Sequence, residues 1–158
     1  MIPKFRAWDF VNKIMWEVEE IDFRNGIVKV KYNGKHVDNC IACKDHQDCY
    51  SPYLRLQDLE LLQFSGWQDK YKYDIYNGDI INLINEDSKS INAVCEFGTA
   101  RRKIFENTID IIGFYFKLPN GKKTFPIVNN YCSKHDTEIF EIIGNRFENI
   151  DLLKERWK

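Results

Sequence analysis

His36, Cys40, Cys43, His46 and Cys49 crowd into fourteen residues of a 158-residue chain. Imidazole nitrogen and thiolate sulfur are donors that zinc prefers, and the two-residue spacing of Cys40 and Cys43 lets neighbouring thiolates grip one ion. A closed tetrahedral site takes its second pair from elsewhere, and Cys132 and His135 repeat that spacing about ninety positions downstream. Cys40, Cys43, Cys132 and His135 are therefore the candidate ligands of a zinc that would fasten a loop to the rest of the fold. Four protein ligands leave no position open for water, so such a zinc would be structural and not catalytic. Five cysteines, an odd number, behind a start without the apolar core of a signal peptide, argue for reduced thiols or metal ligands in preference to a disulfide framework, and the competing reading, without a cofactor, is that these are plain reduced thiols.

Motifs for hydrolysis or phosphate transfer are missing from the sequence. It contains no Gly-x-Ser-x-Gly elbow, no His-Glu-x-x-His helix, no His-x-Glu deaminase signature and no Gly-x-x-x-x-Gly-Lys phosphate loop. His135-Asp136 is a bare dipeptide, and Glu138 and Glu141 read as the solvent face of a strand. The expectation is a protein that is not an enzyme.

The elements that must carry these residues are strands. Eleven Phe, eight Tyr and four Trp suit pleated, half-buried surfaces, whereas Ala, the best helix former, occurs only at 7, 42, 93 and 100. Phe5 to Trp8 and Ile14 to Val18 alternate on either side of a turn-like segment and predict an opening hairpin. Asn25-Gly26 and Asn33-Gly34 supply the positive φ of tight turns and extend it into a meander. From Val37 to Pro52 the periodicity fails, which places a long loop and a seam there. Leu-rich Tyr53–Phe64 fits either a short helix or two strands. Ile80–Ile84 pairs with Ile91–Phe97, and Thr108–Leu118 turns through Pro119-Asn120-Gly121 to pair with Lys123–Phe125. Ile139–Ile143 is a last strand, and Asn149 would cap a short helix carrying Leu152, Leu153 and Trp157. The expected organisation is a β-hairpin region with a Cys/His-rich loop over 1–52, then a small β-barrel with a short C-terminal helix over 53–158.

Three blocks of sequence, Lys4-Phe5-Arg6-Ala7-Trp8-Asp9, Gln63 to Lys70 with Ile75 to Ile81, and Ile142 to Asn149, resemble the YopX family in its order. That family occurs in phages and prophages of low-GC Gram-positive bacteria. The resemblance implies an SH3-like β-barrel core and assembly into homo-oligomers, and assigns no activity. It marks Trp8, Asp9, Gly66, Asp69, Gly78, Asp79, Gly144, Asn145 and Asn149. The chain departs from the pattern at Tyr71-Lys72-Tyr73, where the family turns through Asn-Gly, and at Ile150, where it often has Pro. Physically, Gly78-Asp79 reads as a turn entering a strand, and Trp8 as a core aromatic beside a turn Asp.

Twenty-three basic against twenty-four acidic residues give no overall field that would draw the chain onto phosphates, and no apolar run is long enough to span a bilayer. The expected protein is cytoplasmic, within the host bacterial cell. Its expected role is that of an accessory module that contacts itself, a host protein or a phage protein. The alternative from another class is a binder of single-stranded DNA or RNA. It would stack bases on Trp67, Tyr71 and Tyr73 beside Lys70 and Lys72.

Overall fold

The computed structural model describes residues 3–43, 50–84, 90–104, 106–124 and 140–154. The chain is mostly β and groups into two compact units, 1–64 and 65–158. The sequence reading put the seam at 52/53; the contacts divide the chain within a strand twelve residues later. Tyr53–Arg55 and Leu59–Gln63 belong with the first unit because they pair with its strands.

In the first unit, β1 (Phe5–Asp9) pairs antiparallel with β2 (Ile14–Asp22), with Ala7 opposite Trp16 and Trp8 opposite Met15. β3 (Ile27–Val30) follows through a turn in which Gly26 has φ +66°, the value that favours Gly at the second position of Asn-Gly. β4 (Tyr53–Arg55) pairs with β3, and β5 (Leu59–Gln68) with β1. Alternation puts Ile14, Trp16, Val28, Val30 and Leu54 into one apolar cluster with Ala7 and Leu59. Val37 and Cys40 join it, so part of the loop without periodicity covers this core. The Tyr53–Phe64 ambiguity resolves into two strands separated by a 3-10 turn at Leu56–Asp58. Asn33-Gly34 does not make a hairpin: Gly34 has a positive φ, but no strand follows it directly.

In the second unit β6 (Asp74–Tyr76) lies beside β5. A five-stranded antiparallel sheet then forms from β7 (Asp79–Ile84), β8 (Ser90–Ile104), β9 (Asn107–Lys117), β10 (Lys123–Thr124) and β11 (Phe140–Asn145), in the order β10-β9-β8-β7-β11. Ile75, Ile81, Ala93, Cys95, Phe116 and Phe140 form its core. Phe116 packs edge-on against Phe140 at 5.0 Å between ring centroids. Among the described residues no strand pairing closes either sheet into a barrel. The expected C-terminal helix appears as one 3-10 turn, Ile150–Leu153. The Asn149 side chain does not cap it, because its Oδ1 accepts instead from the backbone N–H of Asn145 at 3.1 Å. Trp157 lies outside the described residues.

Candidate functional site

Four of the marked polar residues, Asp9, Asp69, Asp79 and Asn145, are buried, and each holds a turn. Asp9 is fully buried at the end of β1. Its Oδ1 accepts from the backbone N–H groups of Val11 and Asn12 at 2.9 and 3.1 Å. Its Oδ2 accepts from Asn12 Nδ2 at 2.6 Å and from the Trp16 indole at 3.3 Å. Trp8 beside it is buried, as a core aromatic should be. Asp69 repeats the device: Oδ1 accepts from Tyr71 and Tyr73 N–H at 2.8 and 2.9 Å. Asp79 Oδ2 accepts from Tyr76 N–H at 2.8 Å, across a turn where Gly78 has φ +87°. Asn145 Oδ1 accepts from Phe147 and Glu148 N–H at 3.0 Å each, while its Nδ2 donates to Glu148 at 2.6 Å. A Cβ on Gly144 would lie 2.5 Å from Asn149 Oδ1, so that position admits only glycine without a shift of its neighbour. Gly66 takes φ +89° between Ser65, whose hydroxyl donates to the Ile75 carbonyl at 2.7 Å, and Trp67. A buried carboxylate engaged by backbone amides is a structural cap, since all its lone pairs are directed inward.

The turn that Asp69 holds presents aromatics to solvent. Tyr71 and Tyr73 are 60% and 65% exposed, and Lys72 between them has φ +69°. Lys70 is committed elsewhere: its ammonium donates to Glu141 at 2.7 Å and lies 4.9 Å from the centre of the Tyr71 ring. The hydrogen bond to Glu141 holds Lys70 above its ordinary pKa. Trp67 turns the other way, packing at 5.2 Å against Phe116 and 6.3 Å against Phe114. Of the three aromatics suggested for base stacking, the two tyrosines are therefore the exposed ones.

The metal candidates are only partly in view, for Cys132, His135, His46 and Cys49 lie outside the described residues. Cys40 Sγ is 3.2 Å from Cys43 Sγ. Cys40 is buried, whereas Cys43 is disulfide-bonded, which corrects the expectation of reduced thiols at that position. A sulfur in a disulfide is not a thiolate, so this pair can grip zinc only after reduction. His36 faces Asp38 at 3.0 Å on the surface. Among the described residues no group of three His, Cys, Asp or Glu side chains converges as a metal site would.

One feature had no signal in the sequence reading. β8 and β9 stay paired from Val94 and Lys117 out to Ile104 and Asn107, while β7 accompanies β8 only as far as Val94 and β10 accompanies β9 only at Phe116 and Lys117. The outer part, Phe97–Phe114, is a two-stranded arm. Phe97 and Ile112 on it are 53% and 71% exposed, and Ile109 is exposed as well. Arg101 donates to both Asp110 oxygens, at 2.9 and 3.1 Å, and this bond holds the Asp110 carboxyl below its ordinary 3.8. Near the base, Lys123 lies 4.6 Å over the Tyr115 ring and donates to the Thr99 carbonyl at 3.0 Å.

The family model described as YopX protein matches residues 4–154. The chain belongs to the YopX family. This YopX chain also resembles the crystal structure of protein EF1440 from Enterococcus faecalis, with a TM-score of 0.51 and 19% identity over 97% of this chain and 99% of that one. At that identity the likeness shows the fold alone. No curated protein matches the sequence. In YopX terms, the marked residues from Asp9 to Asn149 hold corners of the two sheets, and the arm and the Tyr71–Tyr73 turn are among the groups that face solvent.

Proposed function

We propose that this YopX-family protein is a phage- or prophage-encoded accessory module of the host cytoplasm that works by self-assembly or protein contact and not by catalysis. The observation that carries the reading is the arm: two strands on which Phe97, Ile109 and Ile112 are exposed. An isolated two-stranded ribbon is marginal in water, and an exposed strand edge is a template for another strand. A chain that keeps such a ribbon outside its sheet gains most when a second surface covers it. The buried carboxylates support the same reading, because each is spent on a turn. A shallow depression, lined by Asn25, Gly26, Ile27, Ile41, Arg55, Leu56 and Gln57, brings no nucleophile and base together.

The SH3-like barrel belongs to this proposal for the second unit. It is supported by five antiparallel strands and by the bulge between Ile142 and Gly144, the device that curves a sheet toward closure. A structural zinc on Cys40, Cys43, Cys132 and His135 belongs to the reduced protein, and metal analysis of protein purified under reducing conditions without chelator tests it. The nucleic-acid reading is favoured by one observation, the two exposed tyrosines on a turn fixed by Asp69. Affinity for single-stranded DNA that falls steeply between two salt concentrations would establish it; binding that is absent or salt-independent removes it. Sedimentation velocity of the untagged protein over a hundredfold concentration range tests the main proposal. A multimer is expected, and a single-chain species throughout would withdraw self-assembly and leave contact with another protein as the role.

A further inference from the structure

We infer that the arms of separate copies pair edge to edge, the outer edge of β8 in one copy against the outer edge of β9 in the next, to make one continuous antiparallel sheet. The inference rests on the self-assembly reading and adds the surface and the partner, a second copy of this chain.

Within the arm the register sets Phe97 opposite Phe114, Thr99 opposite Ile112, Arg101 opposite Asp110 and Lys103 opposite Thr108. These eight residues share one face, because side chains on a strand alternate and directly opposed residues point the same way. Among the described residues, no strand pairs with β8 on its outer side beyond Val94, nor with β9 between Asn107 and Tyr115. Against the described residues both edges of the arm stand open, with backbone donors and acceptors for a further strand.

Charge decides which strand fits. The outer part of β8 carries Arg101, Arg102 and Lys103 in succession, and that of β9 carries Asp110, with Glu106 at the tip. A seam of β8 against β8 gathers the basic residues of both copies with no acid between them. A seam of β9 against β9 gathers the acids. The mixed seam in the register already used inside the arm places each Asp110 between two arginines, its own Arg101 and that of the next copy. It also extends Phe97–Phe114 and Thr99–Ile112 into ladders, covering the apolar side chains that are most exposed on the arm. Such a contact is heterologous, so it closes into a ring or continues as a filament.

The test compares sedimentation of the intact protein with three variants. In the first, Thr99–Ile112 is replaced by Asn-Gly, a two-residue turn that joins Gly98 to its cross-strand partner Gly113 and leaves the sheet core intact. The second is Arg101→Asp, and the third combines Arg101→Asp with Asp110→Arg. The expected result is a multimer for the intact protein, the mass of one chain for the first two variants, and a multimer again for the double exchange. A shortened variant or an Arg101→Asp variant that keeps the multimer mass overturns the arm seam while leaving self-assembly standing. An intact protein that is a single chain at every concentration overturns both. If the shortened variant loses its β-sheet circular dichroism, the charge exchange decides: failure of the double exchange to restore the multimer overturns the inference.

Discussion

Asp9, Asp69 and Asp79 are nearly free of solvent contact, and each accepts backbone N–H from the turn beside it. Asp69→Ala would leave the Tyr71 and Tyr73 amides without their acceptor, and an unmade bond of this kind costs about 1–3 kcal/mol. A drop of that size in the urea midpoint is expected, with Asp69→Asn recovering part of it through its remaining carbonyl. Gly144→Ala forces Asn149 aside, a crowding that costs about 1–3 kcal/mol by the same assay. Cys95 gives a pH-dependent case. Burial, then the nearby Asp79 and Glu96 carboxylates, push its thiol far above its ordinary 9.0. A raised folded pKa means stability that is complete below pH 9 and is lost as pH rises above it, by up to about 1.4 kcal/mol per pH unit. The urea midpoint is expected to fall between pH 8 and pH 10, and to fall less in Cys95→Ala; native Cys95 should resist alkylation at pH 8. The turn roles of Gly78-Asp79 and Gly144-Asn145 were legible from residue type alone, because a short acceptor beside a glycine has few other uses. The outward display of Tyr71 and Tyr73 against the inward packing of Trp67 was not, since three aromatics in seven residues carry no sign of which face the backbone gives each.

Strands announced by alternation or by β-branched runs are where the sequence places them: β1 with β2, β7 with β8, and β9 with β10. Asn25-Gly26 makes its hairpin and Asn33-Gly34 does not, because a turn dipeptide needs an apolar strand on both sides and the second is followed by polar residues. Among the described residues the C-terminal helix is one 3-10 turn, its intended cap engaged by Asn145. The length of β8 does not show in the sequence, because Gly98 and the three basic residues at 101–103 lack the apolar, β-branched character of a strand. Pairing with β9 overrides both. At this scale, amide hydrogen exchange discriminates: the outward-facing amides between Phe97 and Lys103 should be protected at high protein concentration and lose protection on dilution. Concentration-independent exchange there would mean that nothing covers the edge. Acidification adds a second check, since the Asp110 interaction is present above pH 3.8 and is lost as pH falls through its lowered pKa. Association should weaken over that range.

For the whole molecule, a formal net charge of −1 leaves little general repulsion between copies, and the opposed charges of β8 and β9 set how they meet. Membership of the YopX family was readable from three short blocks, and the family model extends it over residues 4–154. Function was less readable, because the blocks encode corners of the fold while the arm between them matches no motif. Light scattering during gel filtration of the untagged protein, loaded at several concentrations in physiological salt, tests the central claim most directly. The account predicts a mass of several chains at the higher loadings, where the edges of the arm are covered. A mass of one chain at every loading would contradict it.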